Sequence, residues 1–333
     1  MHFGFDDEQL AFRDAVRDLL DKDCPPEVVR AAWDAPPGEL DEDDDGPLWN
    51  VWNRLTDMGV TSVLVPEAAG GLGLDERSLV LLLEESGRAA LPHPLVETAA
   101  VAAPLLPHDA ASGMIVACDL GGGPMPWAAD ASVLLLAADP IAWPGLYLLD
   151  PDMVELEAVD SVDKARRLSW AKWARMHGTL VTDDPHAVAK AFDRGAWGTA
   201  AQLVGLGQRM LDMTVAYVRE REQFGKPIGS FQAVKHHLAD ALKELAFARP
   251  AVYRAAHSLA VDAPTQAGDV SMAKAMASEA ACFVGRQALQ CHGAIGYTVE
   301  ADLHLYMKRA WALAKAWGDA TWHRDRYGAA LGI

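Results

Sequence analysis

Cysteine is scarce in this chain of 333 residues, with only Cys24, Cys118, Cys282 and Cys291. No two of them stand in the C-x-x-C spacing of a zinc or redox site, so they read as buried or free thiols of a reducing compartment. Basic residues are also short: 29 Lys and Arg against 47 Asp and Glu give a formal net charge of −18. That balance is a poor match for a phosphate backbone and argues against a nucleic-acid partner, while leaving room for one local cationic site. Long apolar runs are missing. The longest, such as 131–138, are far too short to span a bilayer, so no membrane partner is expected. The first residues, Met1 to Asp7, lack both a basic and an apolar stretch, so no signal peptide and a cytoplasmic location are expected. His236, His237, His257, His292 and His304 fall into no metal-ligand spacing, and no metal is expected.

What is present is a globular chain. It is 51% hydrophobic and 23% charged, which supports a sizeable core and excludes disorder. Its length suggests two or three domains. Residues 6–23 read as an amphipathic helix capped by Asp6 or Asp7, with Leu10, Val16, Leu19 and Leu20 on one face. Residues 34–47 break the pattern with Pro36, Pro37, Gly38 and the acidic run Asp41 to Asp45, a solvated loop without the spacing of a calcium site. Helical patterns return at 47–58 and 76–90, around a glycine-rich turn from Pro66 to Leu74.

The texture changes between 113 and 182. Short β-prone runs at Met114–Cys118, Val133–Ala137, Leu146–Leu149 and Val154–Leu156 alternate with turn residues, which predicts a small β domain. From 185 onward apolar residues recur at three and four, predicting helices at 185–220, 230–260, 267–292 and 300–332, a four-helix bundle. The expected fold class is α+β and mainly α: an N-terminal helical domain (1–110), a shortened middle β domain (111–182) and the bundle (183–333).

Two segments carry specific chemistry. Arg221-Glu222-Gln223-Phe224-Gly225-Lys226-Pro227-Ile228-Gly229 lies between two predicted helices, where Gly225, Pro227 and Gly229 force a sharp turn that projects a guanidinium, an amide and an aromatic ring together. Arginine clamps a pyrophosphate bidentately; the same residues also suit a plain bundle turn with a helix-capping Arg. The segment resembles the flavin-binding turn of acyl-CoA dehydrogenases. Gln290-Cys291-His292-Gly293-Ala294-Ile295-Gly296-Tyr297 resembles that family's glutamine-histidine-glycine-glycine signature, and Pro66-Glu67 with Gly70-Gly71-Leu72-Gly73 resembles its N-terminal motif. The three fall in order over essentially the whole chain.

The resemblance implies an acyl-CoA substrate, FAD bound at a subunit interface, and an electron-transfer flavoprotein or similar acceptor. Arg221, Gln223, Phe224, Gln290 and Gly293 match the positions that reach the flavin of a neighbouring subunit, while Ala294 replaces the second glycine. The family takes the α-proton with a glutamate at one of two positions. Here the first aligns with Trp317, with Asp319 two residues on, and the second with Gly195, near Asp193. The middle-domain loop that holds a chain's own flavin is missing; Asp119-Leu120-Gly121-Gly122-Gly123-Pro124 stands roughly there, a phosphate cradle or, more plainly, a shortened hairpin turn. This pattern resembles the glutamate-less subunit of heteromeric α2β2 acyl-CoA dehydrogenases of steroid degradation, whose homologous partner supplies the base. The competing expectations are a self-sufficient homo-oligomer using Asp319 and a flavin-free scaffold. The 11 tryptophans read as core or interface residues.

Overall fold

The computed structural model describes residues 4–38, 46–138, 145–174 and 177–333. The acidic run at 41–45 and the turn residues Asp139, Pro140 and Pro144 lie outside the described residues, as do the first three residues.

The N-terminal part is helical. Helix α1 (Asp7–Asp23) begins with a capping box: the Asp6 side chain accepts from the Gln9 amide at 2.8 Å, and the Gln9 side chain accepts from the Asp6 amide at 3.1 Å. It buries Val16, Leu19 and Leu20, with Leu10 half-buried beside them. Helix α2 (Pro26–Asp34) was not anticipated from the sequence, because Pro25-Pro26 looks like a breaker; Pro26 sits at the first helical position, where proline has no hydrogen bond to lose. Helices α3 (Pro47–Asp57) and α4 (Glu76–Arg88) follow, then a π-helical segment Val96–Ala102 and a short α5 (Pro107–Ala111).

The β part holds two sheets. One has the order β1 (Val116–Asp119), β3 (Val133–Ala137), β4 (Leu146–Leu149), β7 (Thr179–Thr182); the other has β2 (Met125–Pro126), β6 (Leu168–Lys172), β5 (Glu155–Ala158). The β1–β3 pair is parallel, with Val116 opposite Val133, because the chain crosses to the second sheet through β2 before returning. A buried ion pair ties this part to the N-terminal segment. Arg167 Nε donates to Asp130 Oδ2 at 2.8 Å, and its guanidinium also donates to the carbonyls of Ala35 and Pro36. Arg309, from the C-terminal part, pairs with Asp163 and donates to the Leu91 carbonyl at 2.8 Å, so all three parts meet at one point.

The bundle comprises α6 (Pro185–Glu220), α7 (Gln232–Ala260) and α8 (Gln266–His292), joined by α9 (Leu303–Lys315) and α10 (Ala320–Leu331). Between α6 and α7 lies a small ladder of β8 (Glu222–Gln223) and β9 (Lys226–Pro227). Helix α6 meets α4 backbone to backbone: a Cβ on Gly205 would run into the Glu84 carbonyl, and one on Gly87 into the Gln202 carbonyl. The expectation of one helix over 300–332 is corrected. Trp317 and Gly318 take φ of +56° and +91°, and Asp319 caps a new helix by accepting from the amides of Thr321 and Trp322 at 3.1 and 3.0 Å. The result is an elbow at 316–319.

Candidate functional site

The turn between α6 and α7 and the end of α8 share one end of the bundle. Tyr217, near the end of α6, stacks on His292 at 4.5 Å between ring centroids and donates from its hydroxyl to the His292 carbonyl at 3.4 Å. This contact brings Arg221, Gln223 and Phe224 to the same end as Gln290 and Gly293, and all five are exposed. Phe224 is 91% exposed, an uncommon state for an aromatic ring, and sits in a left-handed conformation followed by Gly225 in another. Its edge meets Phe231 at 6.0 Å, and Lys226 Nζ lies 4.4 Å over the same Phe231 ring. Among the described residues the Arg221 guanidinium has no ion-pair partner. Gly293 has φ +64° and ψ −140°, and no atom lies within 4 Å of the place where a Cβ would stand. Gln223 Nε2 donates to the Glu222 carbonyl at 2.7 Å, so the exposed Arg221 guanidinium is the charged group of this turn left to meet an anion from outside the chain. Ile295, Tyr297 and Val299, at 40%, 77% and 73% exposure, extend this face with apolar surface. Ile295 and Tyr297 lie inside the glycine-containing motif, yet nothing in the sequence told that they would face out.

The elbow is the second feature. The two positions offered for a base, far apart in sequence, are in contact: a Cβ on Gly195 would lie 2.5 Å from the indole carbons of Trp317. Trp317 Nε1 donates to Glu97 Oε1 at 3.4 Å, and Phe192 meets both Trp317 and Trp322 edge-on, at 5.8 and 5.5 Å. Lys274 and His323 hold the backbone. Lys274 Nζ donates to the carbonyls of Gly318 and Ala314 at 3.0 and 3.3 Å, and His323 Nε2 pairs with the Trp317 carbonyl at 2.8 Å. Neither nearby aspartate is free to act as a base. Asp193 is buried and pairs with Arg326 at 2.5 Å. Asp319 is spent as the cap of α10, and the Trp322 amide together with Lys315 holds its carboxyl below the usual range. The carboxylate beside the elbow is instead Glu97, buried in the π-helical segment, where burial pushes its carboxyl up against the opposing pull of Arg166. The sequence reading missed it; a lone glutamate in the Ala- and Val-rich run 96–103 was the available signal.

The glycine loop after β1 is neither a phosphate cradle nor a hairpin turn. One oxygen of Asp119 accepts from the amides of Gly121, Gly122 and Gly123 at 3.0, 2.7 and 3.1 Å, so the donors are already taken. The loop leads from one sheet to the other, since β1 and β2 belong to different sheets. Among the described residues no group of three or more His, Cys, Asp or Glu side chains is placed to hold a metal, and no helix is long and apolar enough to cross a membrane.

Comparison with known proteins decides the family. Residues 6–108 match the model of the acyl-CoA dehydrogenase N-terminal domain, and residues 186–332 match that of the C-terminal domain. The chain belongs to the acyl-CoA dehydrogenase family. It is 33% identical to acyl-CoA dehydrogenase IpdE2 of Mycolicibacterium smegmatis over 321 residues, covering 94% of this chain and 95% of that protein. Its fold is similar to one in the ChsE4-ChsE5 complex of Mycobacterium tuberculosis, with a TM-score of 0.85 at 25% identity, covering 100% of this chain and 99% of that one. It is also similar to a Tcur3481-Tcur3483 steroid ACAD variant, with a TM-score of 0.82 at 27% identity and 98% coverage of both chains. The family's oxidation runs on a flavin, and the protein's share is a placed carboxylate and hydrogen bonds. Here the elbow presents an indole.

Proposed function

We propose that this acyl-CoA dehydrogenase chain is the flavin-completing, base-less subunit of a heteromeric enzyme. A homologous partner supplies the glutamate, and the assembly introduces an α,β double bond into an acyl-CoA thioester. The observation that carries this reading is the packing of Trp317 on Gly195, which leaves both base positions without a carboxylate, while the outward groups of the bundle end remain intact.

FAD held in the partner would supply the hydride acceptor. The residues of this chain bind and orient it. Arg221 would meet the pyrophosphate, with the fork geometry that suits it. Gln290 and the backbone at Gly293, where a Cβ is absent and the space is open, would approach the same group, and Gln223 and Phe224 would flank the adenosine end. The fit rests on a free guanidinium, a left-handed glycine with open space beside it, and an aromatic ring that has no reason to be exposed in an isolated chain. The alternative of Asp319 as base in a self-sufficient enzyme finds no support, since its carboxylate caps a helix. A flavin-free scaffold has no use for an unpaired Arg221.

Two similar solved chains come from proteins named as pairs, ChsE4-ChsE5 and Tcur3481-Tcur3483, which favours an unlike partner. The second is named a steroid ACAD, and we extend the substrate class to a bulky polycyclic acyl group on that likeness. An electron-transfer flavoprotein or similar carrier would reoxidise the flavin. The test is the flavin content of the co-expressed complex carrying Arg221→Ala or Gln290→Ala. Loss of a charge-assisted hydrogen bond, ~1.5–3 kcal/mol, predicts roughly 10- to 100-fold weaker FAD for Arg221→Ala. Unchanged FAD affinity in both variants would reject the reading.

A further inference from the structure

We infer that Tyr217 and His292 form a strut that positions the flavin-facing edge of this chain, holding the Arg221 turn and the Gly293 segment at one fixed spacing. The inference rests on the function proposed above. Tyr217 stands one helical turn before Arg221, and its carbonyl accepts from the Arg221 amide at 2.9 Å where α6 ends. The Arg221 carbonyl in turn accepts from the Ile228 amide at 2.8 Å, which closes the turn that carries Gln223 and Phe224. The ring of the same tyrosine lies on His292 with 14° between the planes, and its hydroxyl reaches the carbonyl of the peptide that leads into Gly293. One residue thus touches both arms of the edge. Among the described residues no other hydrogen bond or ring contact joins the stretch 217–231 to the stretch 288–299.

His292 is the fixed end of the strut. It is buried at the last residue of α8, and its Nδ1 lies 2.8 Å from the Ala288 carbonyl. A carbonyl only accepts, so Nδ1 carries the proton and the ring orientation is set by its own helix. Burial pushes the His292 pKa down, against the pull of the Ala288 carbonyl, so the ring is neutral at pH 7. The strut is not what holds α6 to α8. Further down the bundle the Met210 sulfur of α6 lies 3.5 Å from the ideal Cβ of Gly285 on α8, and Leu203, Val204 and Leu206 anchor α6 in the main core. Tyr217 itself is only half-buried. Removing its ring therefore leaves the bundle packed and frees the spacing of the two arms.

The test is the FAD affinity of the co-expressed complex, read by flavin fluorescence, in a double-mutant cycle of Tyr217→Leu with Arg221→Ala. Tyr217→Leu is expected to weaken FAD about 5- to 10-fold, the scale of one aromatic pair. Tyr217→Phe keeps the stack and drops only a hydroxyl contact of 3.4 Å, so it is expected to stay within about twofold of wild type. In the Arg221→Ala background the same Tyr217→Leu change is expected to cost less than about twofold, because the guanidinium that the strut places is gone. Should Tyr217→Leu fail to assemble, His292→Leu removes the stack from the other side and is read in the same way. Three results overturn the strut: FAD affinity unchanged in Tyr217→Leu, weakened as much in Tyr217→Phe, or falling by the same factor with and without Arg221. Arg221→Ala alone separates the two claims. If it leaves FAD unchanged, the proposed function fails and the strut with it; weaker FAD in Arg221→Ala beside unchanged FAD in Tyr217→Leu sinks the strut alone.

Discussion

Lys274 offers a sharp test of how the elbow is held. Its side chain is fully buried on α8, and its three donors reach Ser278 Oγ at 3.1 Å and the carbonyls of Ala314 and Gly318. Burial pushes its pKa down to about 7; Arg166 and Lys315 push the same way, and Asp319 and Cys282 oppose. Between pH 7 and an ordinary lysine pKa the unfolded chain holds a proton that the folded chain lacks. Stability therefore rises with pH across that window, by at most about 1.4 kcal/mol per unit and by ~2 kcal/mol from pH 7 to pH 9. Lys274→Met abolishes the titration and strands two buried carbonyls, a loss of ~1–3 kcal/mol for each unpaired group. Wild type and variant should thus lie closest at pH 7, with the gap widening by ~2 kcal/mol at pH 9 in urea unfolding. A gap that stays constant with pH would mean that Lys274 does not titrate there, and the reasoning would be wrong.

His93 gives the acid-side counterpart. It lies between Trp52 and Trp127, at 5.3 and 4.7 Å, with both ring nitrogens buried and unpartnered, and burial pushes its pKa down to about 3. Stability should fall as pH drops from about 6.5 toward 3, by ~2 kcal/mol at pH 5, and His93→Phe should flatten that slope in thermal unfolding. Asp319→Asn keeps the helix cap and removes the carboxylate, so turnover of the complex should stay within about twofold; a collapse of two or more orders of magnitude would make Asp319 the base.

The long helices were legible because their ends are written locally. Helix α6 spans the expected 185–220: Asp184 accepts from the His186 amide at 3.0 Å, Pro185 opens the first turn, and Gly225 and Pro227 lie just past the end. The elbow was not legible. The turn at its left-handed Trp317 is held by His323 on the Trp317 carbonyl and by Lys274 on the Gly318 carbonyl, the latter a partner 44 residues away that no local pattern reveals. Strands β6 and β7 were missed because Arg166 and Arg167 just before β6 and Lys172 at its end mask the first, and no residue of β7 is fully buried. At the site, the residue types at 221–224 suited either an anion or a plain bundle turn, and 290–293 stood out only through its resemblance to the family's signature. Their shared end of the bundle, the self-occupied Asp119 loop and the Glu97–Trp317 contact came only from the fold.

The central claim is that this chain completes a partner's flavin site. The measurement that tests it most directly is FAD per chain, with the mass of the assembly, for the chain alone and co-expressed with a homologue that keeps the glutamate. The account predicts little FAD on the chain alone and one FAD per pair of unlike chains in the mixed assembly. A yellow, fully flavinated oligomer of this chain alone would contradict it.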